Sequence, residues 1–118
     1  MDSMINYGDI VVMDFNPTKG AEITKIRPCI VLSRLEINQY SRFFVVAPFT
    51  TNTKIILAYH LHVLPSPHNG LQHPSKAMLE QIRSLDKTRF IKKLGSLERR
   101  YLPPLSRKLQ FVLNQNNA

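Results

Sequence analysis

The sequence predicts a mainly β protein, a small antiparallel barrel that carries one helix at its C-terminal end. Two observations support this fold class. Short apolar runs rich in Val, Ile, Leu and Phe are separated by Pro, Gly and Asn, which is the usual signal of strands and turns. Only the residues after Pro103 show the spacing of an amphipathic helix. Closing a sheet of short strands on itself removes its exposed edges, so a strongly bent barrel is the expected arrangement.

The composition is that of one globular domain, residues 1–118, with 43% hydrophobic and 20% charged residues. Sixteen Lys and Arg against eight Asp and Glu give a formal charge of +8, which favours an anionic partner such as nucleic acid or an acidic protein segment. The single cysteine, Cys29, excludes an intramolecular disulfide and favours a reducing compartment. No apolar run is long enough to span a membrane and the N-terminus lacks a signal-peptide pattern, so the predicted location is cytoplasmic.

The first two predicted strands flank a polar loop. The runs GDIVVMDF, from Gly8, and PCIVLS, ending at Ser33, have strand composition. A loop held by a strand at each end is a common place for binding and catalytic residues. The charged side chains of this segment, Glu22, Lys25 and Arg27, are therefore the first candidates for a functional site.

The next segment, residues 34–42, is polar and irregular, and we predict a connection rather than a helix. FFVVAPF, at residues 43–49, predicts the third strand. Pro48 cannot donate to a sheet ladder, so this position is expected at an edge, a bulge or the strand's end, and the chain is expected to turn there. The polar run at residues 50–53 follows at once and forms the second candidate cluster.

Strict alternation at residues 57–63, LAYHLHV, predicts a half-buried strand with His60 and His62 on its wetter side. Such a pair can bind a metal, but a closed site needs further ligands, and the other two histidines lie in a Pro-containing loop at residues 65–75 without ligand-like spacing. The sequence therefore favours a solvated or RNA-facing pair over a metal site.

The C-terminal part supplies the remaining elements. Residues 77–83 and residues 91–97 are predicted strands, and Asp86 is predicted to cap a short helical turn at residues 87–90. Two prolines suit the start of the last helix. That helix carries an apolar stripe made of Leu105, Leu109, Val112 and Leu113. Short strands with one terminal helix are best described as an SH3-like barrel.

Three blocks of this sequence, taken in order, resemble one known family. They are GDIVVMDFNPTKGAE followed by IRPCIVLS, VAPFTT at residues 46–51, and GLQHPSKAMLEQIRSLDKTRF at residues 70–90. Together they are similar to the signature of the MazF/PemK (Kid) toxins of bacterial toxin–antitoxin systems. The resemblance implies the SH3-like barrel of CcdB, Kid and MazF, assembled as a homodimer. It also implies an enzyme that cleaves single-stranded mRNA without a metal or other cofactor and is inhibited by an acidic antitoxin.

The resemblance also implies roles for three residues. Arg27 would stabilise charge in the transition state, because a planar guanidinium suits phosphate oxygens. Thr50 would hydrogen-bond the scissile phosphate or orient the 2′-hydroxyl, and Glu22 would act as the base. Each has a structural alternative: a surface arginine closing a loop, a turn hydroxyl, and a loop carboxylate paired with lysine. The Kid-like branch uses an arginine and an aspartate where this chain has Met78 and Glu80, which favours the version with Arg27 and Thr50.

Further polar residues near these blocks are candidates for RNA binding. Most would contact phosphates, a contribution that is independent of sequence and weakens with salt. Two of them, Gln81 and Arg83, are equally compatible with a role in the barrel or the dimer. The full set is Thr18, Lys19, Lys25, Thr51, Lys54, Gln81 and Arg83.

Two other functions stay open at the level of sequence. One is a non-enzymatic poison of DNA gyrase, like the CcdB toxins, which act through a C-terminal Trp-Gly-Ile tail. This chain has no Trp and ends LNQNNA, which argues against that function. The other is an inactive barrel that binds RNA or antitoxin, and the charge of the chain is compatible with it.

Overall fold

The computed structural model describes residues 4–16 and 26–115. These residues form one antiparallel sheet in the strand order β4-β5-β3-β2-β1-β7, with β6 also paired to β3. No helix among them is long and apolar enough to cross a membrane. The strands are β1 Asp9–Asp14, β2 Ile26–Val31, β3 Phe43–Thr50, β4 His60–Val63, β5 Ser75–Met78, β6 Arg83–Asp86 and β7 Phe90–Ser96. The helices are α1 Leu35–Tyr40 and α2 Leu102–Val112, and short 3-10 turns occupy Leu79–Gln81, Lys87–Arg89 and Arg99–Tyr101.

Strand β3 is the centre of the sheet. One of its edges pairs with β2, and the other pairs first with β6, at residues 43–46, and then with β5, at residues 49 and 50. On the inner edge Pro48 pairs with Cys29 of β2. On the outer edge it lies between the residues that pair with β6 and those that pair with β5. Because the outer edge has no ladder partner at residue 48, the missing N–H breaks no hydrogen bond there. The strand therefore continues through Pro48 to Thr50, and the turn predicted at the proline was wrong.

Apolar side chains pack on both faces of the sheet, because successive residues of a strand point to opposite sides. The first core cluster contains Ile10, Ile30, Ala47, Phe49, Leu61, Val63, Leu71, Ala77, Leu79, Leu97 and Leu105. The second contains Ile5, Val11, Met13, Cys29, Val31, Phe44 and Val46. Helix α2 covers the first cluster with Leu105, which is fully buried, and with Leu109 and Val112. The predicted stripe is confirmed for these three residues and wrong for Leu113, which follows the last helical residue and is exposed.

The connection predicted at residues 34–42 was wrong, because helix α1 forms there. Its buried residue, Asn38, donates hydrogen bonds from Nδ2 to the backbone oxygens of Ile5 and Ser33, both at 2.8 Å. These partners come from outside the helix, so a tertiary contact stabilises a helix of six residues that is too short to be stable alone.

Two strand predictions also need correction. Only His60–Val63 of residues 57–63 is a strand, and His60 is buried rather than on a wet face. Its Nδ1 accepts a hydrogen bond from the backbone N–H of Leu57 at 3.0 Å, so the ring closes the turn that precedes the strand. Residues 77–83 are not one strand either. Leu79 turns into the core, and the 3-10 turn around it separates β5 from β6.

The cap at Asp86 and the strand that follows it were predicted, and both are confirmed. Asp86 caps the turn Lys87–Arg89 by accepting a hydrogen bond from the backbone N–H of Thr88 at 2.9 Å. This bond, together with Arg42 at 2.6 Å, lowers the pKa of Asp86 to about 2. The strand predicted at residues 91–97 is β7, Phe90–Ser96.

Cys29 lies in the second core cluster, where burial raises the pKa of its thiol to about 12. Since only the thiolate is a good nucleophile, we expect Cys29 of the native protein to resist alkylation by iodoacetamide at pH 8. Mass spectrometry should show the modification only after unfolding in guanidinium chloride. Rapid modification of the native protein would contradict the burial of this side chain.

Candidate functional site

Arg27 and Thr50 lie at neighbouring strand ends. Cys29 of β2 pairs with Pro48 of β3. Continuing this antiparallel register by two residues along each strand places Arg27 opposite Thr50. The Nη1 atom of the half-buried Arg27 donates a hydrogen bond to the backbone oxygen of Phe49 at 3.4 Å. A following proline keeps residue 27 extended, which fits its place in a strand. The structure therefore brings together the two residues that lead the predicted site.

The hydroxyl of Thr50 accepts a hydrogen bond from the backbone N–H of Asn52 at 3.2 Å. A hydroxyl that accepts can still donate its own proton. The proton of Thr50 can therefore be directed at a ligand beside Arg27.

The row continues across the sheet beyond Thr50. Thr50 pairs with Lys76 of β5, and Lys76 pairs with His62 of β4, so all their side chains share one face. Arg27 joins the same face. Neighbouring strands are about 4.8 Å apart, so the row from Arg27 to His62 is about 14 Å long. We call these four residues the cationic row, after its two charged members Arg27 and Lys76.

The sequence pattern did not single out Lys76, and it favoured a solvated or RNA-facing role over metal binding for the pair that includes His62. The alternation in LAYHLHV indicates one polar face, but it does not show which strand lies beside it. Only the pairing of β4 with β5 places His62 and Lys76 next to Thr50. The Nζ of Lys76 also donates to the backbone oxygen of Ile55, which fixes its direction.

Gln81 and Arg83 form a second polar group on this face, further along β3. Arg83 pairs with Val46, four residues from Thr50, which corresponds to about 13 Å along a strand. The guanidinium of Arg83 donates to Oε1 of Gln81 at 3.3 Å and lies over the ring of Phe15, 5.3 Å from its centroid. Both polar side chains are exposed, so they are accessible to a ligand that extends beyond the cationic row.

The remaining predicted residues have different outcomes. Thr51 and Lys54 are exposed in the segment that leaves β3. Glu22, together with the RNA-binding candidates Thr18, Lys19 and Lys25, lies outside the described residues.

Glu80, at the position of the Kid-like acid, is paired with His60. One carboxylate oxygen of Glu80 lies 3.3 Å from Nε2 of His60. Because Nδ1 of His60 accepts from the N–H of Leu57, its Nε2 carries the proton and donates to Glu80. Both ring nitrogens of His60 therefore have a hydrogen-bond partner within the fold. Within residues 4–16 and 26–115, no group of three or more His, Cys, Asp and Glu could hold a metal ion.

Three comparisons relate this geometry to known proteins. The family model described as PemK-like, MazF-like toxin of type II toxin-antitoxin system matches residues 6–113. The chain is similar to the endoribonuclease MazF of Staphylococcus epidermidis, with 31% identity over 115 residues, which cover 97% of this chain and 95% of that protein. The endoribonuclease MazF of Staphylococcus saprophyticus is 31% identical over 111 residues, which cover 93% of this chain and 92% of that protein.

Solved structures show the same fold. A MazE-MazF structure from Deinococcus radiodurans aligns with a TM-score of 0.78 and 26% identity, covering 98% of this chain and all of that chain (100%). The Mycobacterium tuberculosis toxin MazF-mt6 aligns with a TM-score of 0.77 and 21% identity, covering 92% of this chain and 99% of that chain. The mainly β fold with a C-terminal helix is therefore confirmed.

Proposed function

The chain belongs to the PemK-like, MazF-like toxins of type II toxin–antitoxin systems and is an endoribonuclease, and from this premise we propose how it cleaves RNA. It cuts single-stranded mRNA at specific sequences, by attack of the 2′-hydroxyl of the RNA itself. The observation that supports this mechanism best is the placement of Arg27 beside Thr50 at one end of the cationic row. A positive guanidinium next to a hydroxyl donor suits a phosphate that gains charge during the reaction.

In this mechanism the 2′-oxygen forms a bond to the adjacent phosphorus, and the bond from phosphorus to the 5′-oxygen breaks. The products are a 2′,3′-cyclic phosphate and a 5′-hydroxyl, because Arg27 donates a proton to the leaving 5′-oxygen and regains one from water. Arg27 stabilises the non-bridging oxygens of the phosphorane, and Thr50 donates to the phosphate or orients the 2′-hydroxyl. Glu22, outside the described residues, is the proposed base for the 2′-hydroxyl proton.

The neighbouring residues bind the strand on both sides of that phosphate. Lys76 and His62 continue the row at strand spacing, and Arg83 with Gln81 lies further along β3. Thr51 is a proposed RNA contact. Lys54, with Thr18, Lys19 and Lys25 outside the described residues, is a proposed phosphate contact. Such contacts position the strand and weaken as salt rises.

Because the RNA supplies its own nucleophile, we expect cleavage to need no metal. Purified protein incubated with a mixed RNA in excess EDTA should cut it as fast as in magnesium buffer. The new 5′ ends should accept phosphate from polynucleotide kinase without prior dephosphorylation, which identifies them as 5′-hydroxyls. Cleavage that stops in EDTA and returns with Mg²⁺ would exclude this mechanism.

The proposed protein partner is an acidic antitoxin that neutralises the toxin. The +8 charge of the chain and the cationic row support a negatively charged partner. Related solved structures are described as MazE-MazF.

We also propose that residues 1–118 act as one domain, in the cytoplasm, as a homodimer. The homodimer is supported by exposed apolar side chains at Ile55, Ile56, Leu57, Phe111 and Leu113.

A further inference from the structure

A cleft of about 320 Å³ opens on the face of the sheet opposite to the cationic row. Pro28 and Thr51 line it, and they directly follow Arg27 and Thr50 in the chain. Side chains alternate along a strand, so Pro28 points away from the face that carries Arg27. The cleft and the proposed cleavage site thus lie on two sides of the same pair of strand ends.

The cleft has an apolar floor and a polar rim. Val12 of β1, Leu71 and Leu94 of β7 form the floor together with Pro28. The side chains of Thr51, Gln72, His73 and Lys92 form the rim. All four rim residues are exposed, and no residue of the described ranges hydrogen-bonds to the side chains of Gln72, His73 or Lys92. These polar groups are therefore available to a ligand.

The wall of the cleft is held rigidly. Asn69, which is fully buried, accepts a hydrogen bond from the backbone N–H of Leu71 at 3.0 Å and donates to the backbone oxygen of Leu64 at 2.9 Å. The next residue, Gly70, packs so closely on β7 that an added Cβ would lie 2.4 Å from the backbone oxygen of Leu94. The cleft is thus formed before any ligand binds, which lowers the entropic cost of binding.

We propose that this cleft binds one base of the RNA substrate, a uracil or a guanine, in a nucleotide close to the scissile phosphate. The inference depends on the endoribonuclease function proposed above. A volume of about 320 Å³ lies at the small end of the range for ligand sites, and an apolar floor suits the flat face of a base.

The polar rim selects the class of base. Lys92 can only donate hydrogen bonds, whereas Thr51 and Gln72 can each donate or accept, so Lys92 sets the preference. Uracil O4 and guanine O6 are carbonyl acceptors at the base edge, whereas adenine and cytosine carry an amino donor at the equivalent position. An ammonium group facing an amino donor leaves both without a partner, so the rim favours keto bases. This makes Lys92 a determinant of cleavage specificity.

The first test measures specificity with a randomised RNA pool whose fragment ends are sequenced. Wild-type protein should enrich U or G at one fixed position near the cut. Lys92→Ala should reduce the preference at that position about tenfold and keep the preferences at the other positions, as expected for losing one base contact. The control Lys87→Ala removes the same charge from a residue that lies over the Phe44 ring, outside the cleft. An unchanged profile for Lys92→Ala, or the same uniform loss in both variants, would overturn the proposal.

A second test does not require cleavage. We expect guanosine or uridine to shift the amide NMR signals of residues 70–73 in the wild-type protein, with adenosine and cytidine giving much smaller shifts. These nucleosides carry no phosphate, so general attraction to a basic surface cannot cause the difference. Lys92→Ala should remove it. Equal responses to all four nucleosides, or none, would refute a base site even if the protein cleaves RNA. Selective shifts in a protein without nuclease activity would instead support the site and contradict the proposed function.

Discussion

Replacing Arg27 with alanine is expected to lower the rate of RNA cleavage by about 100-fold or more, the usual effect of removing a preorganised charge stabiliser. The continued strand register places Arg27 opposite Thr50, and its guanidinium donates to the backbone oxygen of Phe49, with no carboxylate of the described residues paired to it. Among the residues that the structure describes, no carboxylate neutralises its positive charge before substrate binds. In the transition state that charge would be matched by the extra negative charge on the phosphate oxygens.

Single-turnover kinetics on one defined RNA would measure this loss, because they separate the chemical step from product release. Arg107→Ala is the matched control, since Arg107 is an exposed arginine of helix α2. The control should cleave at nearly the wild-type rate, and thermal unfolding should show that both variants stay folded. Arg27→Lys keeps the charge but not the planar fork, and we expect an intermediate rate. If Arg27→Ala cleaves as fast as the control, Arg27 has a structural role only.

The sequence placed Arg27 and Thr50 in two separate candidate clusters, and the resemblance to the MazF/PemK family paired them. Arg27 precedes an apolar run and adjoins Pro28, and Thr50 directly follows the apolar run that contains Pro48, so these boundaries were visible in the amino acids themselves. The short cap at Asp86 was equally local, since donor and acceptor are two residues apart. Features that depend on neighbours a few positions away can be read from a sequence.

The features that were predicted wrongly or missed depend on residues that are distant in the chain. His60 is buried because Glu80, twenty residues later, meets its ring, and helix α1 forms because Asn38 reaches Ile5 near the N-terminus. Lys76 joins the cationic row only through the pairing of β3 with β5. Each of these outcomes is set by partners that are distant in the chain, and no periodicity in the local sequence records them.

Replacing Asn69 with alanine is expected to lower the free energy of unfolding by about 3–5 kcal/mol, a large part of the stability of an ordinary domain. The amide of Asn69 makes four hydrogen bonds in a fully buried position. Its oxygen accepts from the backbone N–H groups of Ser66 and Leu71, and its nitrogen donates to the backbone oxygen of Leu64 and to Oε1 of Glu98. Alanine leaves these partners without a bond, and a buried unsatisfied group costs more than the bond contributed.

Urea unfolding of the wild type and of Asn69→Ala would measure the difference, with Gln72→Ala as the control from the same loop. Gln72 is exposed, so its replacement should change stability by less than about 0.5 kcal/mol.

The pH dependence of the free energy of unfolding gives a second measurement. Burial alone would raise the pKa of Glu98, but hydrogen bonds from Ser66, from the Glu98 backbone and from Asn69, together with the charge of Arg100, hold that pKa below its ordinary value of 4.5. Stability from this lowered pKa is present above pH 4.5 and lost as pH falls, so Asn69→Ala should lose less stability on acidification than the wild type. Equal stability of Asn69→Ala and Gln72→Ala would show that the cleft wall does not depend on this amide.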